Sequence, residues 1–66
     1  MVLTINGEKR EIDGVSTVSE LLEHFQIEHK IVVVELNREI IDKSLHEGTA
    51  LNDGDSVEIV HFVGGG

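Results

Sequence analysis

Leu3 and Ile5 alternate with Val2 and Thr4 at the start of the chain, and this period of two predicts a β-strand over residues 2–6. Asn6-Gly7 follows. Both residue types accept positive φ, so a two-residue hairpin turn is expected there. Residues 8–13, Glu-Lys-Arg-Glu-Ile-Asp, read as a second strand with a polar outer face, and Gly14 punctuates the chain. Thr17-Val18-Ser19-Glu20 fits a capping box, with a hydroxyl cap and a Glu three residues later that reaches back. Val18, Leu21, Leu22 and Phe25 then fall at i, i+3, i+4 and i+7, which makes one apolar helix face. Glu20, Glu23 and His24 lie off that face, so the helix is amphipathic and packs on a sheet.

Residues 31–36, Ile-Val-Val-Val-Glu-Leu, are β-branched and nearly continuous, the pattern of a central, largely buried strand. Asn37-Arg38 is expected to turn the chain into a short strand containing Ile40 and Ile41. Residues 43–48 read as a single helical turn that places Leu45 inward. Asn52-Asp53-Gly54-Asp55 is a turn. Ser56–Val63 is the last strand, with Val57 and Ile59 on one face and Val60 and Phe62 on the other. The order strand, strand, helix, strand, strand, strand predicts an α+β domain of about five strands with one helix on one sheet face. The first and last strands are both central in apolar character, and pairing between them would make the sheet mixed. The expected core is Leu3, Ile5, Ile12, Val18, Leu21, Leu22, Phe25, Val32, Val34, Ile40, Leu45, Leu51, Val57 and Ile59. The expected division is a domain over 1–63 and a flexible glycine tail over 64–66.

Size narrows what such a domain can do. With 66 residues it builds one core, and an enclosed enzyme cleft would be hard to accommodate. There is no cysteine, so disulfides and thiolate metal sites are excluded and stability rests on packing. The net charge of −8 disfavours nucleic acid, whose phosphates repel carboxylates. With Phe25 and Phe62 as the only aromatics, no base-stacking platform exists. No apolar run approaches the roughly 20 residues of a membrane span. The start, MVLTINGEKR, lacks the features of a signal peptide, so a cytoplasmic protein is expected. His24, His29, His46 and His61 do not pair at the i, i+4 spacing of a helical metal motif, and no metal site is expected. The thirteen acidic residues read as a solvated face, and Ser16, Thr17 and Ser19 as helix-start residues. No constellation of nucleophile, base and orienting group is visible.

The remaining candidate is the Gly64-Gly65-Gly66 ending. Consecutive glycines resist regular structure because each loses much backbone entropy on ordering. They read either as a disordered tail or as a featureless arm able to thread a narrow channel. A terminal carboxyl has a reference pKa of about 3.3–3.7 and is ionised at pH 7. Such a carboxylate can attack the α-phosphate of ATP to give an acyl-adenylate open to sulfur nucleophiles. Beside this tail, Val60 and Phe62, with Val33 on the neighbouring strand, form a candidate apolar docking patch.

The whole chain resembles the ThiS family, the ubiquitin-like sulfur carriers of thiamin thiazole biosynthesis. The likeness is closest in I-V-V-V-E-L-N-R-E-I-I (31–41) and D-G-D-S-V-E-I-V-H-F-V-G-G-G (53–66). The terminal Gly-Gly is shared with ubiquitin and with the small subunit of molybdopterin synthase, whereas Val34–Ile41 and the His-Phe-Val-Gly-Gly-Gly ending look like Bacillus-type thiazole carriers. The resemblance implies a β-grasp fold and no bound cofactor. It implies adenylation of Gly66 by an E1-like, ATP-using enzyme of the ThiF family. It further implies conversion to a C-terminal thiocarboxylate (1-thioglycine), sulfur drawn ultimately from a cysteine desulfurase, and delivery to a thiazole synthase of the ThiG family. Gly64 and Gly65 would be the threading arm. The other readings are a sulfur carrier of a different thiocarboxylate pathway, a ubiquitin-like modifier, or an interaction module.

Overall fold

A computed structural model of the chain describes residues 1–61. β1 (Val2–Ile5) and β2 (Glu8–Glu11) form an antiparallel hairpin in the register Val2 opposite Glu11 to Ile5 opposite Glu8. The turn works because Asn6 and Gly7 take φ of 49° and 86°, the left-handed pair that matches the twist of the flanking strands. After Ile12 and Gly14 the chain enters α1 (Val18–His24). Thr17 caps it, its hydroxyl accepting from the Glu20 N–H at 3.1 Å. The Glu20 carboxylate reaches back one residue further than the usual capping box, accepting from the Ser16 N–H at 2.7 Å and its hydroxyl at 2.6 Å.

The helix closes with a Schellman arrangement. Gln26 N–H donates to Glu23 O and Ile27 N–H to Leu22 O, with Gln26 at φ 58° where a glycine usually sits. A 3-10 turn at His29–Ile31 leads to β3 (Val32–Leu36), one residue later than the apolar run suggested, and Ile31 is exposed. Asn37 and Arg38, both at positive φ, turn the chain into β4 (Glu39–Ile41). A second 3-10 turn, Lys43–Leu45, precedes the loop that returns beneath α1 through a bridge between Thr17 and Ala50. β5 (Ser56–His61) then runs up the middle of the sheet.

The strand order is β2-β1-β5-β3-β4, with β1 and β5 parallel and the other pairs antiparallel. This is the mixed five-strand sheet with one helix, a β-grasp arrangement. Leu3, Ile5, Val32, Val34, Val57 and Ile59 point from the sheet into the core, where Val18, Leu21 and Leu22 of α1 meet them. Ile12, Val15 and Leu51 complete the buried cluster. No described helix is long and apolar enough to cross a membrane.

Two expected core residues are not in the core. Ile40 is 68% exposed. It pairs with Glu35, and since Val34 points to the helix its neighbours Glu35 and Ile40 point away, leaving Ile41 on the inner face. Leu45 is 57% exposed, because the 3-10 turn directs the next side chain, His46, inward instead. Phe25 is only half-buried, packed at the core margin with Arg10 stacked 5.4 Å from its ring centre.

Candidate functional site

β5 brings the chain to the candidate site. Its first residues are flanked on both sides, by β1 and by β3, but main-chain pairing with β1 is limited to Thr4 with Ser56 and Ile5 with Val57. Beyond that point the Asn6 side chain takes over. Its Oδ1 accepts from the Ile59 N–H at 2.8 Å, and its amide nitrogen lies 3.4 Å from the Ile59 carbonyl. Among the described residues, Val60 and His61 pair only with Val33 and Val32 of β3. Phe62, Gly64, Gly65 and Gly66 lie outside the described residues, as does the end of the expected last strand.

On the face away from α1, Val60 and Val33 stand directly opposite each other. Val60 is 50% exposed and Val33 half-buried, so two of the three expected patch residues are brought together where β5 ends. Ile40, placed in the core by its hydrophobicity, joins this outer face diagonally from Val33. Glu35 and Glu58 face each other in the next row. Like charges directly opposite cost stability, so this acidic border works against folding. The result is an apolar strip with an acidic margin, suited to a partner surface that is apolar at its centre and basic at its rim.

His61 lies on the opposite face from Val60, following the parity of Ile59. It is exposed and lines an open groove of about 290 Å³ with Asn6, Arg10, Phe25, Ile27 and Ile59. Nothing in the sequence pattern marked this groove, because it is assembled from the hairpin, the helix end and β5.

The other group missed from sequence is His46, fully buried in a core otherwise apolar. Its Nε2 lies 3.3 Å from the Ile41 carbonyl, and its Nδ1 lies 2.9 Å from the Nδ1 of His29. A carbonyl only accepts, so the His46 proton sits on Nε2, its Nδ1 accepts, and His29 donates from Nδ1. Every buried side-chain polar atom among the described residues has a partner. Burial pushes the His46 pKa below its ordinary value, outweighing the opposing pull of the Ile41 carbonyl. Ser19 Oγ lies 3.5 Å from the far nitrogen of His29, at the outer limit of a hydrogen bond. Among the described residues no group of three or more metal-ligating side chains converges. Hydroxyl and backbone donors from Ser16 and Ser44 hold Glu20 and Asp42 below the usual carboxylate range, both as turn and cap residues.

Comparison with known proteins agrees with this geometry. A profile of the ThiS family matches residues 3–66. The sulfur carrier protein ThiS of Bacillus subtilis is 54% identical over 66 residues, covering 98% of this chain and all of that protein. A thiazole synthase of Paramagnetospirillum magneticum is 47% identical over 66 residues; the match takes in the whole chain, which spans only 20% of that enzyme's length. The crystal structure of a ThiS from Geobacter metallireducens superposes with a TM-score of 0.85 at 40% identity, over all of both chains.

Proposed function

This chain belongs to the ThiS family, and we infer that it is a sulfur carrier of thiamin thiazole formation whose reactive group is the carboxyl of Gly66. The observation that carries this reading is the end-to-end match with a sulfur carrier of the same extent, 98% of this chain against 100% of the Bacillus protein. The fold supports it in a second way. The five-strand mixed sheet with its single helix matches a solved ThiS at a TM-score of 0.85, in keeping with a carrier whose chemistry is completed by partner enzymes.

A Gly66 carboxylate oxygen attacks the α-phosphorus of ATP held by an E1-like enzyme of the ThiF family, and pyrophosphate leaves. A thiol cleaves the persulfide formed by a cysteine desulfurase to a disulfide and hydrosulfide; the hydrosulfide attacks the acyl carbon, loses its proton, and AMP leaves. The product is a C-terminal thiocarboxylate, with one oxygen replaced by sulfur. Gly64 and Gly65 supply an arm without side chains that a narrow active-site channel admits. The strip of Val33, Val60 and Ile40 is where partners dock, and the acidic margin selects partners with basic rims. A thiazole synthase of the ThiG family receives the sulfur; support comes from the thiazole synthase that contains a stretch similar to the whole of this chain.

The test is ATP–pyrophosphate exchange catalysed by the cognate E1-like enzyme. Exchange that depends on this protein, and is lost when Gly66 is deleted, supports the reading. Exchange that persists without Gly66 contradicts it.

A further inference from the structure

We propose that Asn6 is a positioning residue for the reaction at the chain terminus, setting the direction in which β5 leaves the sheet. The proposal rests on the carrier reading above and extends it to a residue on the far hairpin. Asn6 and Ile59 are 53 positions apart in sequence, yet the Asn6 amide meets both backbone polar groups of Ile59. It acts as one extra peptide unit on β1. The Asn6 backbone N–H donates to the Val57 carbonyl at 2.9 Å, and the side chain then engages Ile59 one rung further along.

That rung matters because of where it lies. Among the described residues, Val60 and His61 have main-chain partners only on β3. A hydrogen bond from the β1 side therefore adds a second constraint on the path of β5 just before these residues. Among the described residues, the Asn6 clamp is the last hydrogen bond that β5 receives from the β1 side. It stands beside the groove lined by Arg10, Phe25 and His61. Docking through Val33, Val60 and Ile40 uses the other face of the sheet, so clamp and docking surface are separable.

Asn6→Gly isolates the clamp. Glycine takes the positive φ of 49° that the turn demands, so the hairpin is kept while the amide is removed. In pyrophosphate exchange with the E1-like enzyme, kcat for Asn6→Gly is expected to fall about tenfold, since small misplacements of a reacting group cost one to two orders of magnitude. KM for the carrier is expected to stay within twofold, because docking is untouched. Asn6→Asp keeps an acceptor for the Ile59 N–H and is expected to recover most of the lost kcat. It also decides the matter should the glycine variant fail to fold. A loss of stability alone would leave kcat and KM of the folded fraction unchanged.

Four results would overturn the proposal: an unchanged kcat in Asn6→Gly, a raised KM at constant kcat, an Asp variant as slow as the Gly variant, or, where only the Asp variant folds, an Asp variant slowed tenfold. If the wild-type protein supports no exchange at all, the carrier reading fails first, and the two failures are distinguishable.

Discussion

Acidification should destabilise the fold through His46 before any carboxylate takes part. The ring is fully buried, and its Nδ1 faces the Nδ1–H of His29 at 2.9 Å. A proton added there would set two N–H groups against each other, in addition to the cost of burying the charge. The folded-state pKa is therefore below the unfolded value of about 6.5. Between these two values the unfolded chain binds one more proton, so stability falls as pH falls. The slope is about 1.4 kcal/mol per pH unit for one proton. From pH 6.5 to 5.5 the loss is at most ~1 kcal/mol, because the unfolded imidazole is only half protonated at the upper limit, or on the order of 4–8 °C in Tm for a domain this small. Glu20 and Asp42, whose pKa values are lowered, contribute stability that is lost only below the unfolded carboxylate range, so they are silent in this window. Protonating a chain of net charge −8 also relieves repulsion, which opposes the effect. The informative quantity is thus the difference between wild type and His46→Leu, each unfolded by urea from pH 7.5 to 5 at constant salt. The wild-type curve should fall relative to the variant below pH 6.5. Parallel curves would refute the reasoning, as would NMR titration showing His46 ionising at or above the ordinary imidazole value of about 6.5.

Three further outcomes are expected. Gln26→Gly should stabilise the protein by about 0.5–1 kcal/mol in urea unfolding, because Gln26 occupies a left-handed position that costs an L-residue 1–2 kcal/mol and glycine returns part of that gain as unfolded-state entropy. Val60→Asp should leave the melting temperature nearly unchanged, since the side chain is half exposed, while raising KM for the E1-like enzyme at least tenfold; an unchanged KM would remove the docking role of this face. Gly65→Val should dock normally yet not be adenylated, as read by AMP transfer from labelled ATP; adenylation at the normal rate would show that channel width does not demand glycine.

The sheet and helix were legible in the sequence because their periods were undisturbed. Val18, Leu21 and Leu22 form one stripe, and Leu3, Ile5, Val57 and Ile59 alternate without interruption. Asn6-Gly7 announced its hairpin. Ile40 was misplaced because a three-residue strand carries too little pattern to reveal its parity, which is fixed by pairing with Glu35. Leu45 and His46 exchanged roles for a related reason. A leucine looks like the buried member of such a pair, but here the histidine finds a carbonyl and a second imidazole inside. Val15, between Gly14 and the helix cap, belongs to no periodic element and so gave no signal, although it is buried. Val33 and Val60 followed from strand alternation alone, whereas the Asn6 clamp depends on the parallel pairing of two distant strands.

The most direct test of the carrier reading is mass spectrometry of the protein after incubation with ATP, its E1-like enzyme and a sulfide source. The expected result is a gain equal to exchange of one oxygen for sulfur, localised by fragmentation to Gly66. Localisation separates it from oxidation of Met1, which adds nearly the same mass at the other end of the chain. An unmodified Gly66 in the presence of an enzyme shown to be active would contradict the carrier function.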